Sequence, residues 1–165
     1  MQIKLTAYGL DALQRGFEQA PAMARRELMT SMREAVALLE AAAKGEFPHH
    51  TGDTRNSIAG DAYATPMGAL GVVGSPSPVA AFVELGTRPH RPPIEPLVQW
   101  VADVLGETGP AGRQVAFKIR SKISKRGTEP RKVFELALGR NWGAVSRIFE
   151  HGAQRIAANL AAGAA

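Results

Sequence analysis

The sequence predicts an α+β domain in which a small antiparallel sheet packs on a long N-terminal helix, with additional C-terminal helices. Three observations carry that expectation. Residues 2–7 alternate apolar and polar, and residues 58–64 keep small side chains on one parity, the two-residue period of half-buried strands. Ala24, Leu28, Met32, Ala35, Leu39 and Ala42 recur at helical spacing, opposite Arg25, Arg26, Arg33, Glu34 and Lys44. From residue 94 onward apolar residues return at spacings of three and four. A helix with one apolar stripe and a sheet with one apolar face each need cover, and each can supply it to the other.

Taken in order, Ile3, Leu5 and Ala7 mark a first strand that Gly9 turns. Leu10, Leu13 and Phe17 imply a short helix, interrupted or kinked by Pro21. The long helix follows over residues 22–44 and ends near Gly45, because Pro48 cannot continue it. Residues 51–58 read as a turn: Gly52 gives backbone freedom, and Thr51, Asp53 and Asn56 can bond the local backbone. Residues 58–64 and 69–74 then form an antiparallel hairpin across Thr65, Pro66, Met67 and Gly68.

Residues 79–85 form a short apolar run whose one acid is Glu84, with Pro78 at a first-turn position and Gly86 where a helix can stop. Prolines 89, 92 and 93 hold the next stretch extended and present Arg88, His90 and Arg91 as a stiff cationic arm. A further helix opens at Pro93 with Ile94, Leu97, Val98, Val101, Val104 and Leu105 on one face and Trp100 at its edge. Residues 106–112 read as a flexible break and 114–125 as a helix striped by Val115, Ile119 and Ile123. Residues 132–160 form a last helix, broken or bent at Gly139, burying Val133, Leu136, Trp142, Val145, Ile148, Phe149, Ile156 and Leu160. Arg126-Gly127-Thr128 echoes Gly86-Thr87 too briefly to imply a repeat.

At 165 residues, 45% hydrophobic and 21% charged, the chain has enough apolar surface for one ordinary domain. Aromatics make up only 6%, so alanine fills much of the interior, and close helix packing or burial against other subunits completes it. The absence of cysteine excludes disulfides and thiolate metal sites and fits a reducing compartment. No apolar run approaches the roughly 20 residues of a membrane span, and residues 1–7 lack the continuous run of a signal peptide. The expectation is a soluble, cytoplasmically made chain with no membrane partner. The net charge of +5 is concentrated in Arg113, Lys118, Arg120, Lys122, Lys125, Arg126, Arg131 and Lys132, with Glu129 the segment's only acid. Such a block is most often a solvated face; it also suits an acidic partner or a phosphate backbone.

Chemistry is sparsely signalled. His49 and His50 share a loop, while His90 and His151 stand apart, so no helical pair of metal ligands is spaced for coordination. No serine occupies a Gly-x-Ser-x-Gly elbow. Residues 68–74 are glycine-rich but lack the lysine and following helix of a phosphate loop. The expectation is a non-enzymatic protein without cofactor, metal or catalytic residues. Trp100 and Trp142 are read as core-edge residues.

Two motifs, in this order and flanked by these elements, carry a resemblance to a known family. The first is Thr51-Gly52-x-x-Arg55-x-Ser57; the second is Phe82-x-Glu84-x-Gly86-Thr87 followed by prolines. The chain resembles the siphophage tail-completion family, also described as head–tail joining, neck, tail terminator or minor tail proteins. It departs from the pattern at Leu85, where an aromatic is common, and at Ala81. Against short members, residues 93–129 look like a helical insertion. The resemblance implies a virion structural protein, assembled in the host cytoplasm. It implies a homo-oligomeric ring, expected to be hexameric, that ends the tail tube and meets the head connector or stopper protein. DNA would pass through the lumen without sequence-specific binding.

Arg55 and Glu84 are the charged members of the two motifs and are expected to pair. Arg88, His90, Arg91, Arg113, Lys118, Lys122 and Lys125 are expected at contact surfaces of the ring. The alternative is a nucleic-acid-binding accessory protein that uses the basic 113–132 segment.

Overall fold

The structure is a computed structural model that describes residues 10–48, 52–66 and 68–163. Its elements are α1 (Leu10–Glu46), α2 (Asp53–Asn56), β1 (Ala59–Thr65), β2 (Gly68–Gly74), α3 (Pro78–Leu85), α4 (Ile94–Leu105), α5 (Gly109–Arg126) and α6 (Val133–Gly163). The fold class is α+β, as the two periodicities require. The strand proposed for residues 3–7 lies outside the described residues, as do His49, His50 and Thr51. Among the described residues the sheet is the β1–β2 hairpin, whose two-residue connection forces antiparallel pairing. No described helix is long and apolar enough to cross a membrane.

The chain divides into two compact units. In the first, formed by α1 up to Ala41, Gly60–Val73 and α6 from Arg140, the hairpin lies on α1. Glycines on the inner face of the strands make room for α1 side chains. A methyl group placed on Gly71 would come within 2.6 Å of a Val36 methyl and 2.7 Å of the Met32 sulfur. One placed on Gly60 would overlap the other Val36 methyl. The Gly60 N–H donates to the Glu40 carboxylate at 2.9 Å. The outward face carries Tyr63, Leu70 and Val72, all about half exposed. On α6, Gly152 abuts the buried Ser31, and Arg155 donates to Glu27 at 2.7 Å and to Ser31 Oγ at 3.3 Å.

The second unit comprises Ala42–Ala59 and Gly74–Gly139. Within it α4 and α5 form a helical hairpin with its own core: Ile94, Val101 and Ala116, flanked by Leu97, Val98, Trp100, Val115 and Ile119. Phe47, Ile58, Ala80, Val133 and Ala137 are also buried.

Several boundaries differ from the sequence expectation. α1 runs through Pro21 without interruption, although a mid-helix proline costs about 3 kcal/mol. The expected break at 106–112 shrinks to three residues, because Pro110 occupies the first turn of α5, where its missing N–H is harmless. Gly112 lies inside that turn, tight against the Glu107 carbonyl. α6 continues through Gly139. Leu136 and Trp142 face solvent, Trp142 at 62% exposure, where the spacing predicts Leu136 buried and Trp142 at a core edge. Ala137 and Gly152 take the buried positions instead. Small residues were doing the work that periodicity had assigned to large ones.

Candidate functional site

The site is assembled around α3, the helix carrying the second motif. Its start is fixed by the first motif. Gly52, with φ of 83°, opens the single turn of α2. The Ser57 hydroxyl donates to the Thr54 carbonyl at 2.8 Å and shares a 2.7 Å hydrogen bond with Ser75. Thr54 and Ser77 hydroxyls meet at 3.3 Å, and the Ser77 N–H donates to Ser75 Oγ at 3.1 Å. A small hydroxyl network thus ties residues 54–57 to the turn that launches α3.

The end of α3 is fixed by a partner far along the chain. Both α3 and α5 stop at a glycine followed by threonine, one more residue and proline: Gly86-Thr87-Arg88-Pro89 and Gly127-Thr128-Glu129-Pro130. The two threonines form an antiparallel bridge. Thr87 N–H donates to the Thr128 carbonyl at 3.0 Å, and Thr128 N–H to the Thr87 carbonyl at 3.2 Å. Their hydroxyls lie 3.0 Å apart. Gly86 and Gly127 have φ of 71° and 73°, a region that disfavours side chains. Each glycine also faces the opposite backbone: a methyl on Gly86 would strike the Thr128 carbonyl, and one on Gly127 the Thr87 carbonyl.

Glu84 extends this clasp. Its carboxylate accepts the N–H of Phe134 at 3.0 Å and approaches that of Glu135 at 3.4 Å. These are among the first N–H groups of α6, which no helical carbonyl can satisfy, and an anion there also meets the favourable end of the helix dipole. The last carbonyls of α3 are used too: Val83 accepts from Arg131 N–H at 2.8 Å and Glu84 from Lys132 N–H at 3.3 Å. Lys132 takes φ of 52° to make that entry. Its ammonium sits 2.9 Å from Glu135, whose hydrogen bond and charge raise the lysine pKa above its ordinary value. The expected Arg55–Glu84 ion pair is therefore not what Glu84 makes: its hydrogen bonds go to a helix N-terminus. An acid in an apolar run signals a partner, and a cap satisfies it as well as a cation does.

Held at both ends, α3 leaves its outer face open. Val79, Phe82 and Leu85, at i, i+3 and i+6, are 48%, 56% and 76% exposed. The arm behind it is exposed at Arg88, His90 and Arg91, with the His90 Nδ1 2.9 Å from the Arg88 carbonyl, to which it can only donate. On α5, Arg113, Lys118, Lys122 and Lys125 are exposed, and the Arg113 guanidinium lies 5.9 Å from the Phe117 ring centre. Comparison with profiles of known families, with curated proteins and with solved structures finds no match.

The second motif thus divides. Glu84, Gly86 and Thr87 hold the backbone, while Phe82 and the intervening Leu85 face outward. What the arrangement can do is present a rigid apolar strip beside a cationic arm. Among the described residues no three His, Asp or Glu side chains gather as metal ligands. The Gly127-Thr128 echo of Gly86-Thr87, too brief in the sequence to imply a repeat, marks the two halves of this clasp; the prolines three residues after each glycine extend it.

Proposed function

We propose that this chain is a structural subunit of a siphophage head–tail junction, a member of the tail-completion group. It works as a homo-oligomeric ring that ends the tail tube and meets the head connector, and it does so without catalysis. The observation that carries this reading is the solvent-facing strip Val79, Phe82 and Leu85 on a helix locked at both ends. A helix held at both ends that leaves three apolar side chains in solvent offers the pre-organised apolar centre that a subunit contact needs. A polar rim around such a centre is the ordinary anatomy of an interface. Arg88, His90 and Arg91 on the arm, and Arg113, Lys118, Lys122 and Lys125 on α5, are candidates for it. A ring built from one repeated contact also supplies the missing apolar burial of a chain with few aromatics.

The test is the double variant Phe82→Asp/Leu85→Asp, followed by sizing in solution and by attachment of tails to heads. The expected outcome is a folded chain that no longer forms rings and leaves particles unjoined. Wild-type rings and normal joining would remove α3 from the interface and with it the support for this function.

A further inference from the structure

A concavity of about 270 Å³ opens in the second unit, lined by Arg91, Phe117, Arg120, Ser121 and Ser124. The geometry points to a binding pocket for a phosphate group, an assignment that does not rest on the assembly reading.

Four of the lining residues, 117, 120, 121 and 124, fall at i, i+3, i+4 and i+7 of α5, so they form one face of that helix. It is not the face that packs on α4, which carries Val115, Ala116 and Ile119. The remaining residue, Arg91, comes from the arm between α3 and α4. That arm is stiffened by Pro89, Pro92 and Pro93 and rooted at the Thr87–Thr128 bridge. Arg91 is therefore delivered to the pocket by backbone constraint rather than by a free loop.

The lining contains two guanidiniums, two hydroxyls and no acid. Arginine cannot lose its proton in a protein, so the pocket presents two permanent positive charges. A phosphate dianion matches that charge, and its oxygens can accept from both guanidinium forks and both hydroxyls; a carboxylate matches only half of it. The Ser124 hydroxyl lies 2.9 Å from the Ser121 carbonyl and can turn from it toward an incoming oxygen.

Arg120 supplies a second, independent observation. Its Nε is buried and has no hydrogen-bond partner among the described residues. Folded proteins seldom leave a buried donor unused, and here it belongs to a guanidinium that lines a pocket without a carboxylate. An external anion would provide the counter-charge that the protein itself withholds. Phe117 forms the apolar side of the pocket, and Arg113 stacks on its ring.

Phosphate chemistry can come from two sources, free phosphate or the backbone of a nucleic acid. The experiment titrates the full-length chain with inorganic phosphate at constant ionic strength, and then asks whether a short DNA duplex displaces it. Arg91→Gln and Arg120→Gln are each expected to weaken phosphate binding by about tenfold or more, the worth of one charge-assisted contact. Arg147→Gln, on α6 and outside the pocket, should change it by no more than about twofold, as a general charge effect would. Melting curves check that the variants fold. If Arg120→Gln does not fold, the exposed Arg91 carries the test alone. Displacement by the duplex, with a salt slope that falls by about one in Arg91→Gln, identifies the backbone as the source. Saturable phosphate binding that the duplex leaves untouched identifies free phosphate. No saturable binding, or equal losses in Arg147→Gln and Arg91→Gln, would overturn the pocket.

Discussion

At Gly60 and Gly71 the space a side chain would fill is taken by Val36 and Met32; at Gly86 and Gly127 it is taken by the backbone of another segment. Neither Gly60 nor Gly71 has a positive φ, whereas Gly86 and Gly127 both do. The hairpin on α1 therefore uses glycine as a notch for side chains that can shift. The clasp uses it as the only residue that can both turn and touch. One region should yield gradually to substitution, and the other should fail at once.

The largest effect is expected at Gly127→Ala. The added methyl meets the Thr87 carbonyl, no flexible side chain can retreat, and the left-handed φ adds strain. A loss of at least about 3 kcal/mol in denaturant unfolding is expected, against which a loss below about 1 kcal/mol would show that the clasp is soft. Gly60→Ala comes next, with about 1–3 kcal/mol of overpacking against Val36. Combining it with Val36→Ala should recover part of that loss, since the two changes act on one space; simple additivity would mean the notch is not shared. Glu84→Ala is the mildest, at about 1–2 kcal/mol for a lost helix cap. The same measurement on Glu84→Gln should show a smaller loss, because an amide oxygen can still accept from Phe134.

The same contrast explains what could be read in the sequence. The hairpin and α1 were legible because side-chain packing writes a period: Leu28, Met32, Ala35 and Leu39 on the helix, alternating small residues on the strands. The stops at Gly86 and near Gly45, and the helix opening after Pro93, were legible because glycine and proline act locally. The clasp left only the brief Gly-Thr echo, since backbone-to-backbone contact leaves no period and its halves are 41 residues apart. Glu84 was recognised as needing a partner, but its partners are the N–H groups of Phe134 and Glu135, which have no side-chain signature. Trp142 was misplaced for the converse reason: helical spacing assigns a face without saying whether anything covers it. The Arg91–Arg120 pocket joins two segments whose meeting only the fold could reveal.

The Thr87–Thr128 bridge has a consequence for how such a chain can change length. Everything between the two threonines leaves and returns through a neck one residue pair wide. Paired residues in an antiparallel bridge stand only about 5 Å apart, a gap that a tight turn spans. The α4–α5 hairpin between them carries its own core of Ile94, Val101 and Ala116. In evolutionary terms a neck this narrow is where a segment can be lost or exchanged at the cost of one tight turn.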